Sequence, residues 1–127
     1  MKAFISYDVE RHGNYKNLIK AWEAIDLEFE FNDNSIDTSI DSINVSYIKT
    51  KIKKYIDESD IFVVIVGDYA SSNKWVDWEC GVARSLFKTI RVIKVESHFK
   101  VPSSINGYHK VDVYNGFTKE NLSDCFK

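Results

Sequence analysis

Short apolar runs alternate with amphipathic stretches from one end of the chain to the other. Residues 2–6 read as a strand, followed by a polar loop over 8–14 and a helical stretch with Leu18, Ile19, Trp22 and Ile25 on one side. Residues 27–31 alternate apolar and acidic positions, as a half-exposed edge strand does. The segment 32–44, rich in Asp, Ser and Asn, predicts the longest loop, and long loops in compact domains are often functional. From 45 to 58, Val45, Ile48, Ile52, Tyr55 and Ile56 recur at helical spacing, with Lys49, Lys51, Lys53 and Lys54 expected on a solvated face. Residues 61–66 form a continuous β-branched and aromatic run ended by Gly67, the signature of a central strand buried on both faces. A helix over 74–88, a strand over 90–95, a loop through Pro102 and Gly107, a strand over 110–113 and a short helix from about Thr118 complete the chain.

The order β-α-β-α-β-α-β-β-α predicts one α/β domain over 1–127. Its expected form is a flavodoxin-like, doubly wound, mostly parallel five-stranded sheet with helices on both faces. Ligands in such folds meet the carboxyl ends of the strands. Those ends carry Ser6, Tyr7 and Asp8, then Asn32 to Asn34, then Asp68 to Ser72.

Composition narrows the function. A chain of 127 residues, 44% hydrophobic, can bury a single core without metal or disulfide. Its 17 basic residues against 19 acidic ones leave a net charge of -2, which excludes a strongly basic surface built to neutralise phosphates, so nucleic acid is not an expected partner. Cys80 and Cys125 are far apart and outside any C-x-x-C spacing, so free thiols in a reducing compartment are expected. No apolar run approaches the roughly 20 residues of a membrane span, and the N-terminus lacks a secretory pattern. A cytoplasmic location without membrane partners follows as the expectation. His12, His98 and His109 show no metal-ligand spacing and are expected on loops or the surface.

The stretch 74–88 holds the most informative position. At about 100° per residue, Trp78, Val82 and Leu86 fall within roughly 60° of Trp75 and predict an apolar stripe. Asp77, Arg84 and Lys88 cluster opposite, as solvated charges do. Glu79, at about 40°, falls inside the stripe. A carboxylate there must be paired, protonated or at a cavity wall, because an unpaired buried charge is expensive. A buried ion pair or a cap contact accounts for it as well as a functional acid does. Cys80, at about 140°, lies near the edge of the arc and is expected to pack rather than act as a nucleophile.

Tyr69-Ala70-Ser71-Ser72-Asn73-Lys74-Trp75-Val76-Asp77-Trp78-Glu79 resembles the segment of TIR domains in which a strand-ending loop with Ser leads into a helix bearing Trp-x-x-x-Glu. Phe4-Ile5-Ser6-Tyr7 is similar to their opening strand. The resemblance covers essentially the whole chain and is closest to bacterial TIR-like proteins, including those of Thoeris anti-phage defence. It implies that Glu79 is the catalytic residue for cleaving the nicotinamide–ribose bond of NAD, and that Phe4, Ser6, Tyr7 and Ser71 line the substrate. NAD would be substrate, with no further cofactor. The family also implies self-association or TIR–TIR assembly, a phage-derived trigger and a downstream effector that senses the nucleotide product.

The chemistry suits a single acid. Nicotinamide leaves NAD from an already cationic state and needs no proton, unlike the sugar leaving groups handled by carboxylate pairs. Trp75 offers a flat face for a pyridinium or adenine ring, although a core tryptophan reads the same way. Asp8 could bond a ribose hydroxyl or be a solvated loop acid, and Ser72 or Asn73 could simply cap the helix.

The 32–44 segment lacks the proline often found there in receptor-type TIR domains, and no G-x-G-x-x-G loop is present, so a dehydrogenase-style NAD site is not expected. Three other readings share the fold. They are a non-catalytic TIR-like interaction domain, a phosphoreceiver using Asp68, and a deoxyribosyltransferase-like enzyme whose carboxylate attacks the sugar. The phosphoreceiver would want paired acids where Ser6 and Tyr7 stand.

Overall fold

The computed structural model describes residues 2–7, 30–32, 45–67 and 74–125. The helix expected around Leu18 to Ile25 lies outside them, as does the loop expected over 32–44 apart from Asn32, which ends β2. The elements are β1 (Lys2–Ser6), β2 (Glu30–Asn32), α1 (Val45–Glu58), β3 (Ile61–Val66), α2 (Lys74–Ser85), β4 (Thr89–Lys94), a 3-10 turn at Ser103–Ile105, β5 (Val111–Asn115) and α3 (Lys119–Cys125).

The strands form one sheet in the order β2-β1-β3-β4-β5, and every neighbouring pair runs parallel. The chain leaves β1 for β2 on one side and later returns to β3 on the other. The switch point therefore lies at the carboxyl ends of β1 and β3, where doubly wound sheets open a crevice. Parallel pairing also forces each crossover helix to run back against the strands. Both α1 and α2 consequently start at the carboxyl end of the sheet.

Strand alternation divides the core. Phe4, Phe62, Val64 and Val66 face α1 and α2, where they meet Ile52, Ile56, Val76, Cys80 and Ala83. Ala3, Ile5, Tyr7, Val63 and Ile65 face the other way, toward Ile93 and Cys125 of α3. Every residue of β3 is buried, which is why its sequence is apolar without alternation. Phe4 and Phe62, register partners on β1 and β3, stack with centroids 5.7 Å apart and planes 7° apart.

Helix α2 departs from its expectation in two ways. It stops at Ser85, not Lys88, because Phe87 adopts φ 57°, with Phe87 N–H on Arg84 O and Lys88 N–H on Ala83 O. That pattern is a Schellman ending, with phenylalanine where glycine usually stands. Leu86 is thereby turned out to 36% exposure and does not extend the apolar stripe. The buried arc is also rotated, since Val76, Glu79, Cys80, Val82 and Ala83 are buried while Trp75 and Trp78 are only partly so. One arc meets the sheet, and the tryptophans lie toward α1.

The charges expected to be solvated on α2 instead organise their neighbours. Asp77 Oδ1 accepts the Ser104 N–H at 2.9 Å, and Ser104 Oγ donates to Asp77 O at 2.7 Å. Arg84 donates to Ser104 O and Asn106 O, both at 3.1 Å. Lys88 Nζ donates to Asp57 O and Ser59 O at 2.7 Å, satisfying carbonyls at the end of α1 that the helix itself cannot. Arg91 pairs with Asp112 across β4 and β5.

His98 and His109 are exposed, and His12 lies outside the described residues. Among the described residues no helix is long and apolar enough to cross a membrane.

Candidate functional site

Strand β1 ends at Ser6, and its alternation turns the Ser6 side chain to the same face as Phe4, under α2. One turn into α2, Glu79 projects from the buried arc to meet it. Ser6 Oγ donates to Glu79 Oε1 at 2.8 Å. The serine is fully enclosed and the glutamate is 5% exposed. No lysine or arginine among the described residues lies within ion-pair distance of Glu79, so its partner is a hydroxyl rather than a buried cation. Burial pushes the carboxyl up from 4.5 to about 8, and the Ser6 hydrogen bond opposes that rise.

Such a carboxyl is largely protonated at neutral pH and lies close to ionisation. A cation brought beside it would favour the anion. A buried acid of this kind beside the switch point of the sheet is a candidate functional residue. Cys80, the next residue, is fully buried, with a thiol raised well above its usual range by desolvation and then by Glu79 and Asp77. A thiol of that kind is not a nucleophile.

Of the other predicted site residues, Phe4 shares the Ser6 face but is wholly enclosed and stacked on Phe62. Tyr7 is 4% exposed and belongs to the opposite face of the sheet, with Ile5 and Ile65, so β1 separates it from Glu79. Trp75 is partly buried one turn before Glu79 and meets Trp78 edge-on, with centroids 5.6 Å apart and planes at 84°. Asp8 and Ser71, with Asp68, Ser72 and Asn73, lie outside the described residues. No group of three or more His, Cys, Asp or Glu among the described residues could hold a metal ion.

Lys49 of α1 was expected in solvent with the other lysines. It is half-buried instead, its Nζ 5.8 Å from the centroid of Trp75 and 5.2 Å from that of Trp78. The signal was present in the sequence. Counted from Val45, Lys49 falls at about 40°, at the edge of the apolar arc beside Ile56 at about 20°, whereas Lys54 at about 180° points away.

Fold and site together define a flavodoxin-like α/β domain with a buried acid at its topological switch point. A model of the family described as Thoeris protein ThsB, TIR-like domain, matches residues 4–101, and the chain belongs to that family of TIR-like defence proteins. No curated protein matches the sequence. Among solved structures it is similar to the 2-deoxyribosyltransferase of Bacillus psychrosaccharolyticus, at 14% identity and a TM-score of 0.70 over 98% of this chain and 91% of that one. At that identity the likeness is one of fold.

Proposed function

We propose that this chain cleaves the nicotinamide–ribose bond of NAD, with Glu79 as the catalytic carboxylate. The observation that carries the reading is the Glu79 carboxyl itself, buried at the switch point of a TIR-like domain and bonded to Ser6 rather than neutralised by a cation. The pyridinium of NAD supplies the positive charge that favours ionisation of Glu79. The anion then stabilises the oxocarbenium-like ribosyl centre that develops as the C1′–N bond breaks and nicotinamide departs with the bonding electrons. Water captures that centre to give ADP-ribose and a proton, or a nucleophile of the same nucleotide closes a ring and makes a cyclic signal.

Ser6 holds the carboxyl in place and Trp75 lines the path to it, with Phe4 and Tyr7 as neighbours of that strand end and Asp8 and Ser71 as further contacts. The domain works without another cofactor, in the cytoplasm, through self-association and in response to a phage-derived trigger, and its product is read by a separate effector. Incubation of the purified protein with NAD, followed by chromatography of the products, tests the reading. Nicotinamide released by wild type and not by Glu79→Gln supports it. No release under any state of assembly leaves a TIR-like interaction domain. A trapped ribosyl ester on Glu79 would make the carboxylate a nucleophile, as in the deoxyribosyltransferase-like alternative.

A further inference from the structure

The two helices on the Ser6 face both begin at the carboxyl end of the sheet, and their first turns bring Lys49, Trp75 and Trp78 together. The two indoles meet at 84°, and the Lys49 ammonium lies in the angle between them. Ring faces attract a cation, but they do not replace the oxygen acceptors that the three N–H groups of an ammonium use in water. No carboxylate or carbonyl among the described residues bonds to Lys49, whereas Lys88, elsewhere in the fold, donates to Asp57 O and Ser59 O. Half-buried on aromatic walls, its charge is less screened than that of a lysine in free solvent.

Trp75 and Glu79 are four residues apart on α2, which is about 6 Å along the helix axis. The ammonium lies against Trp75 and Trp78, which flank the helical turn leading to the buried acid, on the Ser6 face of the sheet and at the end where α1 and α2 begin. A ligand running from Glu79 past the two tryptophans to Lys49 presents, in that order, a group that develops positive charge, a spacer and an anion. A ribosyl unit followed by a diphosphate has that sequence of charges.

We infer that Lys49, held between Trp75 and Trp78, is the diphosphate-binding residue of a nucleotide subsite that adjoins Glu79. The inference rests on the NAD-cleavage reading for the identity of the whole ligand, but the subsite takes any nucleoside diphosphate. The ammonium bonds non-bridging phosphate oxygens, and the indoles report the event because the cation beside them is drawn to the anion.

Titration of ADP against tryptophan fluorescence tests this, with adenosine as the uncharged control. Lys49→Met keeps a long stem against the indoles and removes the charge, Lys49→Gln is a second neutral variant, and Lys49→Arg retains the charge. Wild type should bind ADP saturably, the neutral variants about tenfold or more weakly, and Lys49→Arg close to wild type, with adenosine binding unchanged throughout. In turnover, the neutral variants should raise KM for NAD about tenfold at similar kcat and leave cleavage of nicotinamide riboside, which has no phosphate, unaltered. Equal ADP affinity in wild type and a folded neutral variant, or no ADP binding by wild type, overturns the proposal. ADP binding through Lys49 without NAD cleavage keeps the subsite and removes the proposed reaction, whereas NAD cleavage with unaltered KM in Lys49→Met does the reverse.

Discussion

Ser6 and Glu79 are 73 positions apart in the chain, and a 2.8 Å hydrogen bond joins them inside the fold. The first belongs to the strand at the centre of the switch point and the second to the helix that covers it. The bond therefore exists only when β1, β3 and α2 are assembled, and it makes the acid a reporter of the intact site.

Glu79→Gln should abolish nicotinamide release while preserving the fold. The amide keeps the shape of the protonated acid that burial favours, and it has no cation to strand, because none pairs with Glu79 among the described residues. Thermal melting at pH 6 should differ little between the two proteins. A melting temperature that collapses in the variant would make Glu79 structural, and retained cleavage in a stable variant would move the chemistry to another residue.

The same shift sets a pH dependence of stability. The folded protein holds the Glu79 proton up to about pH 8, while the unfolded chain releases it near 4.5. The native state thus binds more protons across that window, and its stability is fully present below the lower value and declines as pH rises through the upper one, by several kcal/mol in all. Melting curves from pH 5 to 9 should show wild type losing stability relative to Glu79→Gln as pH increases.

Turnover should move in the opposite direction. If the anion stabilises the ribosyl centre, kcat/KM for NAD rises with pH to a plateau above about 8, the value for the free protein. The kcat profile should rise at lower pH, because the bound pyridinium favours the carboxylate. Ser6→Ala removes the bond that lowers the carboxyl's pKa, so its kcat/KM profile should shift to higher pH. An unshifted profile would separate Ser6 from the chemistry.

Cys80→Ala should lose about 1–2 kcal/mol of stability and little activity, since the thiol fills a closed site and is held protonated by burial. Cys125 is equally enclosed, with burial raising its thiol to about 12. Neither should react with a thiol reagent until the protein unfolds. Fast labelling in native buffer would contradict both placements.

Phe87→Gly should stabilise the domain by about 1 kcal/mol. The phenylalanine holds φ 57° with 69% of its surface exposed, so glycine relieves the backbone and gives up little packing. The midpoint of urea denaturation measures the gain, and a loss of stability would mean that the exposed ring packs on something in solution.

The pattern of residues made the frame legible because buried parallel strands are written as unbroken apolar runs. Residues 61–66 were readable for that reason, and α1 begins and ends where its periodicity does. The end of α2 was not, because its stop signal is a left-handed phenylalanine with no glycine to announce it. The wheel isolated Glu79 but centred the buried arc on the tryptophans, since one apolar set faces the sheet and another lies toward α1, and a single stripe cannot represent both. Ser6 as the acid's partner depends on strand alternation and on a contact between distant segments. Lys49 sits only at the edge of α1's apolar arc, and the other lysines around it obscured its place.

The family match stops at residue 101, yet the fold does not. Beyond that point the chain supplies Ser104 and Asn106 to the outer side of α2, the Tyr108 hydroxyl that donates to Lys88 O, the strand β5 that pairs with β4, and Cys125 in the core of the far face. The helix that aims Glu79 is held from behind by residues beyond the stretch the family model matches. Heritable exchange between relatives at that boundary would graft an acid onto a foreign support. The tail and α2 are one folding unit, so a change in either alters the support on which the acid stands.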